Sequence, residues 1–212
     1  MSRDRDPFER TLDLLRRGLR AGDHGLGQPL HIKKLAAAMA VSSTPVREAL
    51  ARLSGEGLIE RAQSGYLTRR YDVVGLRELY QLDQVYALAA PIKGGKSEGT
   101  RTDHVAPADA GDPGMEDYVA STEVLLTVLS PQDSRTLAVA RQRVWDRLAP
   151  FRAVEPVVLS EVEPEVVRLR DAVRNSMGAP RVLIRAYYRR RLQMVGALLR
   201  SASARRYLSN IP

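Results

Sequence analysis

The chain has 212 residues, 44% of them hydrophobic and only 5% aromatic, and a formal net charge of +8. That much apolar material supports a packed core and excludes a disordered type, while the basic balance suits a polyanionic partner, nucleic acid or a membrane surface. Cysteine is absent, so disulfides, zinc–thiolate sites and thiol catalysis are excluded.

MSRDRDPFER at the N-terminus has no apolar signal region, and no run approaches the roughly 18 apolar residues of a membrane span. A soluble, cytoplasmic chain with no membrane partner is expected. Phe8, Leu12, Leu15 and Leu19 recur at helical spacing, predicting a helix over 8–21, with Asp6 as its cap and Pro7 in its first turn. The glycine-rich segment 22–29 reads as a loop. Two short helices follow, over 31–40 and 41–53, the second ended by Gly55 and Gly57. Leu58 and Ile59 open a strand, Gln63 to Gly65 form a turn, and the chain returns over 66–70 as a β-hairpin. Helical periodicity resumes over 73–90. The segment 91–114 is rich in Gly, Pro, Asp and Lys and reads as a long loop. Further helices are predicted over 116–129, 134–151 and 161–176. After a break at Met177 to Pro180, a last helix is predicted over 181–199. The fold class is mainly α: a winged helix-turn-helix over 1–72, then an all-helical domain over 73–212.

In the segment 41–50, VSSTPVREAL, two serines and a threonine precede a proline and an arginine at a helix start. The second helix of a helix-turn-helix enters the major groove by its N-terminus. Ser42, Ser43 and Thr44 supply caps and phosphate contacts there, Pro45 fits the first turn, and Arg47 reaches a base edge. Val46, Ala49, Leu50 and Leu53 form the buried face.

LHIKKLAAAMAVSSTPVREALARLSGEGLIERAQSGYLTRR resembles the DNA-binding domain of the GntR family of bacterial transcription regulators. The pattern comprises Leu35-Ala36, Val41 to Leu50, Arg52-Leu53, Glu56-Gly57-Leu58 and Gly65, and the likeness covers about residues 8 to 70. It implies double-stranded DNA as partner, a short inverted repeat read by a homodimer, and contacts from Lys33, Thr44, Arg47, Ser64 and Gly65. Ser42, Ser43 and Arg52 join that candidate set. Ser43 stands where the family usually has arginine, which removes a cation from the groove and implies altered or relaxed base preference. Tyr66 fits two roles, a contact to the minor groove or sugar–phosphate edge and a packing residue of the hairpin.

Within that family, the segment around Leu79-Tyr80-Gln81-Leu82 resembles the FadR subfamily with its all-helical FCD domain, with Asp83 where an arginine is common. Such domains dimerise and bind a small acid or acyl effector, and many hold a metal through one Asp and three His. Here the Asp position reads Ser121 and two His positions read Leu125 and Val166, and the last falls near Tyr188 to Arg191. None of the first three can ligate a metal. His24, His31 and His104 lie elsewhere. Neither metal nor cofactor is expected, and the domain is degenerate in this respect.

The last helix carries Arg181, Arg185 and Arg189 at helical spacing, with Tyr188 beside them, and the chain has no acidic residue after Asp171. Three roles fit this stripe. It lines a cavity for an acidic effector; it is a surface or DNA-backbone patch; or it pairs with the acidic run Glu155, Glu161, Glu163 and Glu165. No Ser–His–Asp arrangement, phosphate loop or ligand cluster is present, so no enzyme activity is expected. The sequence supports a DNA-binding regulator, a repressor by preference. The alternatives are a sequence-independent DNA binder whose helical domain only dimerises, and a ligand-free partner of another regulator.

Overall fold

The computed structural model describes residues 6–90, 118, 122, 125, 129, 134–175 and 179–204. The expected loop at 91–114, with His104, and the metal-position residue Ser121 lie outside these. The chain begins with helix α1 (Pro7–Ala21). Asp6 starts it by accepting from Phe8 N at 3.1 Å, and Gly22 ends it with a left-handed φ of 83°. Strand β1 (Pro29–Leu30), α2 (Ile32–Ala38), α3 (Ser43–Gly55) and the hairpin β2 (Ile59–Ala62) and β3 (Gly65–Thr68) follow.

The three strands form an antiparallel sheet in the order β1-β3-β2. Ala62 faces Gly65 across the tight turn and Arg61 faces Tyr66, while Leu30 meets Tyr66 from the other edge. Sequence reading gave the hairpin but placed Pro29 in a loop. A strand of two residues exists only through its pairing with β3, which local patterning does not encode. Leu12, Leu15, Val46, Ala49, Leu50 and Leu53 bury together as the core of this head, so the leucine face of α1 seats α3.

Asp72 caps α4 (Val73–Ala89), its Oδ1 accepting from Gly75 N at 2.7 Å. The helical part continues with α5 (Arg135–Arg152), α6 (Glu155–Val158), α7 (Val162–Asn175), α8 (Pro180–Gln193) and α9 (Val195–Ala204). Helix α6 and the division of the last predicted helix at Met194 differ from the sequence reading. Val195-Gly196 is poor helix-forming sequence, and the bend lets α9 bury Val195, Leu198 and Ala202 against α4 and α6. Of the helix expected over 116–129, the described residues Tyr118, Thr122, Leu125 and Leu129 are all buried, at spacings that put them on one helical face. A second core gathers Leu76, Tyr80, Leu148, Phe151, Val166 and Ile184. Helix α5 touches both parts, since α1 of the head packs on it.

Candidate nucleic-acid interface

Helices α2 and α3 are joined by a turn in which Ala40 takes a left-handed φ of 52°. Ser42 holds the N-cap position of α3 in extended conformation, yet its side chain makes no capping bond. The sequence reading gave it one. The first-turn N–H groups of a helix have no partner within the helix, and a hydroxyl free of the cap is available to donate elsewhere. Ser42, Thr44 and Arg47 are exposed, Ser43 is half-buried, and Val46, Ala49, Leu50 and Leu53 face inward. One side of α3 is thus fixed by packing and the other carries hydroxyls and a guanidinium.

Lys33 on α2 is exposed, and so is Ser64 at the hairpin turn beside Gly65, whose φ is 135°. Tyr66 is half-buried and packs against the head core. Arg52 is exposed but engaged: its Nε donates to Glu56 Oε1 at 2.8 Å, and Glu56 also accepts from Arg16 of α1 at 2.6 Å. Lys34 and Arg61, which sequence reading passed over, are also exposed, and Arg61 stands beside Tyr66 across the hairpin. The signal for Arg61 was the hairpin register, which only the paired strands reveal.

The helical part holds a second arrangement. Asp83 of α4 is fully buried. It accepts from Arg141 Nε at 3.1 Å, Arg152 Nη2 at 2.6 Å and the Tyr188 hydroxyl at 2.5 Å. Burial alone would raise its pKa, but the Arg152 and Arg141 guanidiniums hold it below the ordinary 3.8. Glu155 is a second hub, accepting from Tyr80 at 2.9 Å, from Arg191 Nε at 2.9 Å and from Tyr118. Arg191 also reaches Glu165 at 2.7 Å. Burial, and then the neighbouring carboxylate, push Tyr80, Tyr118 and Tyr188 well up, so all three remain donors. Arg152 stacks 3.4 Å over Trp145, and Arg191 3.4 Å over Tyr187. Arg141 Nη2, Arg152 Nε and Nη1 and the Tyr187 hydroxyl are buried without a hydrogen-bond partner.

Of the residues considered for an effector, Tyr188 belongs to this interior. Arg181, Arg185 and Arg189 are exposed, and Arg181 donates to Leu88 O at 3.0 Å. The pairing with the acidic run is made by their neighbours, Arg190 to Glu165 at 3.4 Å and Arg191 to Glu155 and Glu165. Leu125 and Val166, at the metal-ligand positions, are core residues. His31 is exposed, and His24 is half-buried, its pKa lowered by burial against the opposing influence of Asp23. Among the described residues no three His, Cys, Asp or Glu lie close enough to hold a metal ion, and no helix is long and apolar enough to cross a membrane.

Residues 7–65 match the family described as bacterial regulatory proteins, gntR family. A sequence search against curated proteins finds no match. Among solved structures, Escherichia coli McbR/YncC is similar with a TM-score of 0.59 at 19% identity, covering 93% of this chain and 98% of that one. A GntR-assigned chain from Rhodococcus sp. RHA1 is similar with a TM-score of 0.51 at 16% identity, covering 97% and 99%. These structural likenesses extend the shared fold, a winged head followed by helices, over nearly the whole chain. Residues 7–65 are a GntR-type DNA-binding domain of the kind found in transcription regulators, and the matched family is one of regulatory proteins, not enzymes.

Proposed function

We propose that the chain is a sequence-specific transcription regulator, a homodimer in which each winged head, residues 1–72, reads one half of a short inverted repeat. The observation that carries this reading is the two-sided α3: a packed face that fixes its orientation, and an exposed N-terminal face with Ser42, Thr44 and Arg47. Arg47 is assigned to a base edge and Ser42, Ser43 and Thr44 to phosphates. Lys33 and Arg52 strengthen backbone attraction, and Ser64, Gly65 and Tyr66 place the wing against the adjacent groove. Repression is the simpler sign, because a bound dimer occludes DNA without a further contact.

The helical part, residues 73–212, supplies dimerisation in this reading. Val74, Leu82 and Val85 are exposed on α4 at spacings that put them on one helical face. A FadR-like, FCD-type role adds a small acidic or apolar effector, for which the unpartnered N–H groups of Arg141 and Arg152 beside Tyr188 are the support. An effector acts by favouring one arrangement of the two heads. The place of action is the cytoplasm, where the DNA is.

A second reading, sequence-independent binding with a helical part that only dimerises, is favoured by Ser43, which lacks the guanidinium expected there, and by the net charge of +8. Fluorescence anisotropy separates the two. The protein is titrated at near-physiological salt onto its own upstream DNA, onto fragments selected from genomic DNA and onto a scrambled duplex. Preference for one natural sequence by about 4 kcal/mol or more supports the regulator. Arg47→Ala then removes roughly 1–3 kcal/mol of that preference without altering the melting temperature. Equal, salt-sensitive binding to every duplex supports the second reading.

A further inference from the structure

A groove of about 550 Å³ opens where the head joins the helical part, within the size range of small-molecule sites. Arg69 and Arg70, which follow β3, form its head side, and Arg147 of α5 faces them from the helical side. Two of these guanidiniums have a donor to spare: Arg69 Nε and Arg147 Nε are buried without a hydrogen-bond partner. Arg69 is anchored through Nη1, which donates to Gly57 O at 3.0 Å, while Glu60 stands 3.8 Å from Nε, too far to accept. Arg147 is steadied by a hydrogen bond with Tyr71, whose ring meets Phe151 edge-on at 5.0 Å.

The charge of the lining limits the occupant. Against three arginines stand the carboxylates of Asp72 and Glu78, and Asp72 is committed to the cap of α4. The excess is one positive charge, which suits one negative charge on a ligand. Leu79 and Leu82 supply an apolar wall. Guanidinium edges favour a carboxylate, which accepts two parallel N–H bonds, and the leucines favour a short hydrocarbon beside it.

We propose that this groove binds a short aliphatic monocarboxylate, which ties Arg69 and Arg70 of the head to Arg147 of the helical part and so fixes the angle between them. The site is separate from the buried Asp83 cluster and does not rest on the DNA-binding reading. The two walls belong to parts joined there by the connection Tyr71-Asp72, so occupancy acts directly on the orientation of the head.

Isothermal titration of the full chain with hexanoate and with its neutral isostere hexanamide, at fixed pH and ionic strength, tests this without DNA. Hexanoate is expected to saturate near one per chain and to bind about tenfold or more tightly than hexanamide. Arg147→Gln should erase that preference, Arg147→Lys should keep part of it, and Tyr187→Phe in the interior should leave it unchanged. Equal binding of acid and amide overturns the proposal. So does preference that survives in a folded Arg147→Gln protein, or that is lost only with Tyr187→Phe, which would put the acid in the interior. Failure of the DNA-binding reading appears only in the anisotropy experiment, so the two are distinguishable.

Discussion

Asp83→Asn is the most informative single change in the helical part. The substitution keeps size and shape but removes the charge that faces two buried guanidiniums, Arg141 at 3.1 Å and Arg152 at 2.6 Å. Removing one member of a buried ion pair costs about 3–5 kcal/mol, because the partner charge stays buried without compensation. Set against a typical total of about 5–15 kcal/mol, this is a large fraction. With a urea dependence of about 2 kcal/mol per molar, the midpoint falls by roughly 1.5–2.5 M. The chain carries its own probe, since Trp145 is its single tryptophan and lies under Arg152. Urea titration followed by tryptophan fluorescence therefore reports on this cluster. A fall under about 0.5 M would refute the assignment of Asp83 as the charge that balances these arginines. The same geometry sets a pH dependence. The folded-state pKa of Asp83 lies below its ordinary 3.8, so its contribution is fully present above that value. It is lost as pH falls through the lower folded value. Wild-type protein should weaken in that acid window, and Asp83→Asn should lack that component of the loss.

Three further outcomes are expected. Ser43→Arg adds a cation at the start of α3 and should tighten DNA binding, steepening the plot of log affinity against log salt by about one if it meets a phosphate; unchanged affinity and slope would remove Ser43 from the interface. Gly57→Ala places an L-residue at φ 75°, with the nearest atom to its new Cβ, on Arg69, 3.8 Å away, so backbone strain acts without a clash. The cost should be about 1 kcal/mol in a urea titration followed by far-ultraviolet circular dichroism, and no loss would mean that the turn after α3 relaxes freely. Dialysis against a chelator should leave the melting temperature unchanged, because Leu125 and Val166 occupy the ligand positions with apolar side chains; about one equivalent of a transition metal per chain by elemental analysis would contradict this.

The head was legible because its signals are local. Asp6-Pro7 at one end of α1 and Gly22 at the other bound a leucine stripe of helical period, and the bounds lie within a residue of the predicted ones. Helix α3 starts two residues later than expected, at the end of the turn through Ala40, whose left-handed backbone nothing in the alanine side chain announces. Strand β1 and the bend at Met194 depend on what the chain packs against. The candidate DNA contacts were readable as a motif, but Arg52 was not readable as bound to Glu56, because the competing cation is Arg16 from another helix.

The interior ionic network was illegible for a different reason. Asp83 meets Arg141, Arg152 and Tyr188 across sequence separations of 58, 69 and 105 residues, and a charged residue read singly looks like a surface residue. The arginine stripe of α8 shows how little separates the two cases. Arg181, Arg185 and Arg189 point outward while Ile184, Tyr188 and Arg191, shifted by two or three positions, are buried. Helix α5 gives these placements a common consequence. Arg141, Trp145, Leu148 and Arg152 lie four, three and four residues apart, on the face turned to Asp83 and the core. On the adjacent face Asp146 stands 3.6 Å from Arg20 of the head and accepts from Gln142 at 2.8 Å. One turn of helix separates the buried cluster from the seam with the head, and a helix does not bend readily over one turn. A rearrangement around Asp83 that moves α5 must therefore also move the surface on which α1 rests, which makes α5 the first place to look for coupling between the interior and the angle of the head.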